Sequence, residues 1–214
     1  MELLTQVEVR VLGALIEKAI TTPDNYPLSL NALTIACNQS SNRDPVAHYD
    51  DQTVADAIDT LRGARLVHIV QRSDSRVTRY RQVVDETWGL DSAETAVMDV
   101  LMLRGPQTVG EVRTRSMRLH DFRNLDQVAS TLNALIVREP DGFVSRLGRQ
   151  PGQKEVRYFH RLSGEVSTDP VGATDPDLPD PGERLTRLEE SHEELRGQVD
   201  DLRNQLEQFR KQFE

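Results

Sequence analysis

Residues 51–81, with the sequence DQTVADAIDTLRGARLVHIVQRSDSRVTRYR, decide the fold of this chain. Val54, Ile58 and Leu61 recur at helical spacing in the first part of this stretch, which predicts an amphipathic helix that begins near residue 50. Two short strand-like segments follow, and the polar turn between them predicts a hairpin. These segments span 66–71 and 77–81. A helix that leads into a hairpin is the closing part of a winged helix.

The residues before this stretch supply the rest of that domain. A first helix is predicted over 5–19, with Thr5 as its cap and apolar residues at helical spacing. A short second helix follows Ser29. The connection from this helix to the third is longer than an ordinary helix-turn-helix turn. We therefore predict a winged-helix domain over residues 1–86, with an extended loop at 38–50.

The same order of elements recurs in residues 87–162, which predicts a second winged-helix domain. The apolar positions of the first helix recur 86 residues later, and those of the third helix recur 74 residues later. The dipeptide Arg79-Tyr80 recurs as Arg157-Tyr158. Trp88 and Leu90 lie between the two copies, and we expect them to pack the domains together.

The remaining residues predict a linker and a coiled coil. Residues 163–182 contain four of the ten prolines and five acidic residues without a basic one, which predicts an extended acidic, Pro-rich linker. Residues 183–214 carry an apolar heptad pattern, which predicts a coiled-coil helix and, most simply, a parallel homodimer. Antiparallel and intramolecular packing stay open. The dimer positions are Leu185, Leu188, Leu195, Val199, Leu202, Leu206 and Phe209.

The fold class expected from these patterns is mainly α with small β-hairpins, in two tandem winged-helix domains followed by a C-terminal coiled-coil helix. No apolar run approaches the roughly 18 residues of a membrane span, and the N-terminus does not resemble a signal peptide. One cysteine, Cys37, is typical of a reducing compartment, so we expect a cytoplasmic protein without a membrane partner.

The net charge of −9 is unevenly distributed along the chain. Residues 163–214 hold 6 basic and 14 acidic residues, whereas residues 91–162 hold 11 basic and 9 acidic ones. The second domain is therefore the better candidate for contact with a polyanion.

Motifs for catalysis and cofactor binding are missing from the sequence. The histidines, at 48, 68, 120, 160 and 192, have none of the close spacing of a zinc site, and neither glycine-rich phosphate motif occurs. We expect no enzyme, no catalytic residue, no cofactor and no metal.

Several longer motifs resemble the YceH family of bacterial proteins. They are NYPLSLNAL at 25–33, ACNQSSNRDPV at 36–46, RVTRYR at 76–81, GPQT at 105–108 and PGQKE at 151–155. The resemblance implies a tandem winged-helix fold, often with a coiled-coil tail, in a family without an established biochemical function. That family has no agreed catalytic or ligand residues, so none is transferred to this chain.

The signature loop is the first candidate site. Its polar residues either stabilise the loop itself, with Arg43 paired to Asp44 or to a neighbouring acid, or form a surface that binds a partner. The residues concerned are Asn38, Gln39, Asn42, Arg43, Asp44 and Pro45.

The third helix and the wing of the second domain are the second candidate site, because a winged helix usually presents these elements to DNA. The third helix of the first domain is rich in Asp, which the phosphate backbone repels. The second domain instead presents Arg123, Asn124, Gln127 and Thr131, with Arg146, Arg149 and Lys154 on the wing.

These features predict a dimeric DNA-associated regulatory protein that contacts double-stranded DNA mainly through its second domain. The alternative is a non-enzymatic protein–protein interaction adaptor that binds a protein partner through the acidic first domain and residues 38–46.

Overall fold

The computed structural model describes residues 3–71, 77–139, 142–148 and 155–164, which all lie in one compact unit, Met1–Thr168. The helices are α1 (Gln6–Thr21), α2 (Leu30–Cys37), α3 (Asp51–Gly63), α4 (Val84–Trp88), α5 (Ser92–Arg104), α6 (Val109–Ser116) and α7 (Leu125–Val137). The strands are β1 (Leu28–Ser29), β2 (Val67–Val70), β3 (Arg79–Gln82), β4 (Val144–Arg146) and β5 (Tyr158–His160). A mainly helical protein with small antiparallel sheets is thus confirmed.

Polar caps fix where the helices begin. Thr5 caps α1 as predicted, and it forms a reciprocal capping box with Glu8. Thr108 forms the same kind of box with Glu111 at the start of α6. The other caps are Ser29 before α2, Asp50 before α3, Asp91 before α5 and Asn124 before α7. Each side chain accepts a hydrogen bond from a backbone N–H that the helix leaves unpaired.

We call residues 3–90 the first half and residues 91–164 the second half. In the first half β3 lies between β1 and β2, and Leu28 pairs with Tyr80. In the second half β4 pairs with β5, and an isolated bridge joins Gln107 to Tyr158. Each half therefore contains three helices, a hairpin and a short extended segment before its second helix, and the first half ends with the additional short helix α4. This order is consistent with a winged-helix-like architecture.

The repeated Arg-Tyr dipeptides make the same contact in both halves. Arg79 Nη1 donates to the carbonyl oxygen of Pro27 at 2.8 Å, and Arg157 Nη1 donates to that of Pro106, also at 2.8 Å. Each arginine therefore holds the last strand of its half to the segment that precedes the second helix.

One cluster of buried apolar side chains runs through both halves, from Leu4 to Leu162. The first helices of the two halves, α1 and α5, pack against each other at its centre. A Cβ atom added at Gly13 would lie 2.9 Å from Leu103 Cδ2, so the helices approach closely there. This approach makes the surface between α1 and α5 part of the core.

Three local features differ from the sequence-based expectations. Helix α4 occupies the connector, where no helix was predicted, and β1 was not predicted either. Helix α1 continues to Thr21 rather than ending at residue 19. The connector residues do pack inward, since Leu90 is buried and the ring of Trp88 lies 5.3 Å from that of Phe143.

The linker at 163–182 is described only to Gly164, and the coiled-coil helix predicted at 183–214, with all its dimer positions, lies outside the described residues. Among the helices that are described, none combines the length and apolar character needed to cross a bilayer.

Candidate functional site

The outer face of α7 carries four of the predicted DNA-binding residues. Arg123 and Asn124 are exposed, and Gln127 and Thr131 are half-buried. The oxygens of both amide side chains are occupied, because Asn124 accepts from the Gln127 N–H and Gln127 accepts from the Arg123 N–H, each at 2.9 Å. Within the described residues, the NH2 groups of Asn124 and Gln127 and the guanidinium group of Arg123 have no hydrogen-bond partner. The helix therefore offers hydrogen-bond donors outward.

The sequence reasoning did not single out two further arginines: Arg113 lies next to this face, and Arg118 lies beside the end of α1 and the signature loop. Arg113 and Arg118 are exposed near the end of α6 and in the connection to α7. The Arg113 Nη2 atom donates to the Arg123 carbonyl oxygen at 3.5 Å, so its positive charge lies at the start of α7. Arg113, Arg118 and Arg123 form no ion pair with any residue that the structure describes. Their position before the third helix was the signal that could have identified them.

The wing contributes one described residue to the same surface. Arg146 is exposed on β4, where its Nη2 atom donates to Asn133 Oδ1 at 2.5 Å and its Cζ atom lies 5.8 Å from the centroid of the Tyr158 ring. This hydrogen bond links the wing to α7. Arg149 and Lys154 lie outside the described residues.

The third helix of the first half presents acidic groups instead. Asp51, Asp56 and Asp59 are exposed on α3, and Asp59 pairs with Arg62 at 2.8 Å. Asp50 caps the helix and accepts a hydrogen bond from the Thr53 N–H at 2.7 Å. Hydrogen bonds from the Thr53 side chain and, to a smaller extent, from its backbone lower the pKa of the Asp50 carboxyl group. This face repels phosphate.

The signature loop is held closed by its own side chains. Asn38 Nδ2 donates to the Tyr49 carbonyl oxygen at 2.7 Å, and Asn38 Oδ1 accepts from the Tyr49 N–H at 2.8 Å. At the middle of the loop the Asp44 N–H donates to the Leu103 carbonyl oxygen at 2.9 Å, and Arg104 donates to the Asn42 side chain. The peptide bond between Asp44 and Pro45 is cis. The loop is therefore anchored at both ends and against α5.

Arg43 is buried beneath the loop, with 6% of its surface exposed, so it is not part of an exposed recognition surface. It forms two hydrogen bonds with the carboxylate of Glu17 on α1, at 3.2 and 2.7 Å. Its guanidinium also donates to the Ala36 carbonyl oxygen, at 3.1 and 2.8 Å, near the end of α2. The acid that pairs with Arg43 is therefore neither Asp44 nor any other loop residue, and the contacts favour the self-stabilised loop.

Glu17 and Asp99 bring two carboxylates together where α1 meets α5. Burial is the largest influence on the pKa of Glu17 and would raise it, but hydrogen bonds and charge from Arg43 outweigh burial and hold that pKa below its ordinary value. Asp99 is 1% exposed, and its Oδ1 atom has no hydrogen-bond partner. Burial first, and then the charge of Glu17, raise the pKa of Asp99 well above its ordinary value.

Cys37 lies fully buried at the end of α2, as its position on the inward face predicted. The Cys37 carbonyl oxygen accepts a hydrogen bond from Arg10 Nη1 at 3.2 Å. Burial raises the pKa of the Cys37 thiol to about 12, so the thiol stays protonated. No cluster of three His, Cys, Asp or Glu residues suited to a metal ion occurs within the described ranges.

Comparisons with known proteins identify the family. The family model described as "Protein of unknown function, DUF480" matches residues 4–153. This chain belongs to the DUF480 family. The match confirms the expectation of an uncharacterised family, while the name YceH stays a prediction.

Three relatives, each called "UPF0502 protein", illustrate how far the similarity extends. The protein of Pelobacter propionicus is 46% identical, over 99% of both chains. That of Geotalea daltonii is 47% identical, over 99% of this chain and 98% of the relative. That of Opitutus terrae is 46% identical, over 90% of this chain and 83% of the relative.

Proposed function

We propose that this protein is a non-enzymatic, dimeric, DNA-associated regulator built from two tandem winged-helix domains, the second of which contacts duplex DNA. The observation that carries the proposal is the pair of exposed arginines at the start of α7, Arg113 and Arg123, with the exposed Arg118 between them in the chain; none of the three forms an ion pair within the described residues. Arginines without an internal ion pair keep their full charge and their donors for phosphate oxygens.

The other side chains of α7 suit the reading of bases. The free NH2 groups of Asn124 and Gln127 can donate to acceptor atoms on base edges in the major groove, such as the N7 atoms of purines. Arg146, which is hydrogen-bonded to α7 through Asn133, would contact the phosphate backbone of the DNA beside the major groove. Phosphate contacts would thus position α7, and the amides would supply selectivity.

Dimerisation through residues 183–214 would multiply these contacts. Each chain presents few cations, so a single copy is expected to bind weakly. In a dimer joined by the predicted coiled coil, binding of one copy to DNA would raise the effective concentration of the other copy near the same duplex. The dimer would therefore bind DNA more tightly than a single copy does.

Fluorescence anisotropy with a labelled duplex of about 30 base pairs tests the proposal across salt concentrations from about 50 to 200 mM. The wild-type protein should bind with a steep salt dependence, because each neutralised phosphate contributes a slope of about −0.9 in log K against log salt. The double variant Arg118→Gln/Arg123→Gln should bind at least about tenfold more weakly, with a shallower slope.

The matched control is Arg62→Gln/Arg81→Gln, which removes the same charge from the first half. It should leave the salt slope unchanged. An absence of binding at low salt, or equal losses in both double variants, would refute DNA contact through the second half.

The exposed acids of α3 favour a second candidate, an adaptor that binds a basic protein through the first half. Asp51 and Asp56 have no ion pair among the described residues, and Val46 is 46% exposed in the nearby loop. Affinity capture after nuclease treatment distinguishes the candidates. Partners that survive nuclease and are lost in Asp51→Asn/Asp56→Asn support the adaptor, whereas partners lost with nuclease support DNA association.

A further inference from the structure

A cleft of 540 Å³ lies where the two halves meet, on the side of the signature loop. It is formed by the start of α1, the loop at 44–49, the end of α5, strand β5 and residues 163–164. Its volume is within the range of about 300–1,000 Å³ that is typical of sites for small molecules. None of the DNA-facing arginines lines this cleft, so it is separate from the surface proposed above.

Apolar and aromatic groups form much of its wall. Tyr49 and Pro45 come from the loop, Met102 and Pro106 from α5 and the residues after it, and Phe159 from β5. A wall of this kind favours the planar or apolar body of a ligand over a compact inorganic ion.

Two arginines place positive charge in the same wall. Arg10 is only 4% exposed, and its terminal nitrogens donate to the carbonyl oxygens of Cys37 and Pro45 rather than to a carboxylate. Its Nε atom is buried without an acceptor. Arg104 bonds the Asn42 side chain and, within the described chain, forms no ion pair. Burial lowers the pKa of both guanidinium groups.

Asp44 is the one carboxylate among the described residues of the wall. Two guanidinium groups and one carboxylate leave a single positive charge uncompensated. A buried charge without a counterion is unfavourable, so a monovalent anion would stabilise the site.

His160 adds a second polar group. It lines the cleft, and its Nδ1 atom is buried without a hydrogen-bond partner. Burial lowers the pKa of His160 to about 4, so the imidazole is neutral at physiological pH and can either donate or accept. Arg10 and His160 thus contribute two of the four buried unpartnered polar atoms found in the described residues, and both line one cleft.

We propose that this cleft binds a small monocarboxylic acid with a planar or apolar body. Arg10 and Arg104 hold the carboxylate, Tyr49 and Phe159 pack against the body, and His160 hydrogen-bonds a polar substituent. Because residues from both halves contribute, a bound ligand stabilises their junction. The proposal does not depend on DNA binding.

Titration of the full-length protein with benzoate, followed by amide chemical shifts in NMR spectra, tests the proposal. Benzoate should bind with a dissociation constant on the order of 1 mM, the affinity of a fragment-sized ligand. It should shift signals of residues 44–49, 102–106 and 158–164. Benzamide, which keeps the ring and lacks the charge, should bind at least about tenfold more weakly.

Inorganic phosphate supplies the charge without the ring and should also bind at least about tenfold more weakly. The variant Arg104→Gln should lose about tenfold in benzoate affinity, and the control Arg118→Gln, an exposed arginine outside the cleft, should lose none. The proposal is overturned by the absence of saturable shifts at tens of millimolar benzoate, by equal binding of benzoate and benzamide, or by phosphate binding as tight as benzoate. Equal affinities in the two variants also overturn it. Because no DNA is present, each outcome leaves the proposed function untouched.

Discussion

The connection between α2 and α3 and the connection between α6 and α7 occupy equivalent places in the two halves, yet their arginines differ completely. Arg43 in the first connection is buried and paired with Glu17. Arg118 and Arg123 in the second connection are exposed and have no acidic partner within the described residues. The same residue type therefore stabilises the fold in one half and is available to a partner in the other.

The first helices explain this difference. Glu17 of α1 corresponds to Leu103 of α5 when the halves are aligned 86 residues apart. Leu103 is buried in the apolar core, so α5 offers no acid at the position that Glu17 occupies on α1. Arg118 and Arg123 have no such acid and stay exposed to water, where their charge is solvated.

The largest expected effect is the loss of stability in Arg43→Ala. This change removes the buried counterion of the Glu17 carboxylate, which lies beside Asp99 and keeps only Lys18, at 3.5 Å, as a cationic partner. The free energy of unfolding, measured by urea denaturation, should fall by about 3–5 kcal/mol.

The matched change Arg118→Ala should alter stability by less than about 0.5 kcal/mol, because the side chain is exposed. The double variant Glu17→Met/Arg43→Met, which removes both charges, should recover most of the loss. A loss below about 1 kcal/mol in Arg43→Ala would show that the buried pair does not stabilise the first half.

The second effect is a change in the reactivity of the Cys37 thiol, which lies at the start of the connection between α2 and α3. Cys37 is fully buried with a pKa of about 12, so a thiol-specific chromogenic reagent should react with it in the native protein at least about 100-fold more slowly than in the denatured chain. Arg43→Ala should accelerate the reaction by opening the loop.

Ser116 of α6 occupies the position equivalent to Cys37 and is also fully buried. A thiol introduced as Ser116→Cys, in a Cys37→Ser background, should be equally protected but insensitive to Arg43→Ala. If Arg43→Ala accelerates the reaction of both thiols equally, the loop between α2 and α3 does not protect Cys37 separately from the second half.

The third effect is a pH dependence at the contact between α1 and α5. Folding raises the pKa of Asp99, so between the ordinary carboxyl pKa and the raised one the folded protein keeps the Asp99 proton while the unfolded chain loses it. Over that pH range the free energy of unfolding falls as the pH rises. Asp99→Asn should therefore increase the free energy of unfolding by about 1–2 kcal/mol near neutral pH. The gain should shrink toward pH 4, and a gain that does not vary with pH would contradict the assignment.

The smallest effect is expected when the exposed acidic residues of α3 are replaced, and it is an effect on DNA affinity. The variant Asp51→Asn/Asp56→Asn/Asp59→Asn removes only long-range repulsion, so affinity for duplex DNA should rise by less than about threefold at physiological salt. A rise of tenfold or more in the anisotropy assay would mean that α3, too, lies close to the duplex.

Much of the fold follows from local patterns in the sequence. The apolar spacing of Val54, Ile58 and Leu61 predicted α3, and Thr5 marked where α1 begins. These signals depend on residues within one or two turns. The two-residue strand β1 has too few residues to form a pattern, and α4 lies in a connector where only a few side chains are apolar.

Local sequence patterns could not predict that Arg43 is buried and paired with Glu17. Its partner Glu17 lies 26 residues away on another helix, and no spacing rule connects them. The exposed arginines were partly predicted, because Arg123 comes just before α7, but Arg113 and Arg118 lie farther from that helix along the chain and were missed. Burial, which depends on packing between the halves, decides which arginines are structural.

Hydrogen–deuterium exchange of the full-length protein, with and without a duplex of about 30 base pairs at low salt, tests the contrast between the connections most directly. The account predicts slower exchange in residues 113–131 and 144–146 when DNA is present, and no change in residues 38–60. Protection of residues 38–60 by DNA, or no protection of residues 113–131, would contradict it.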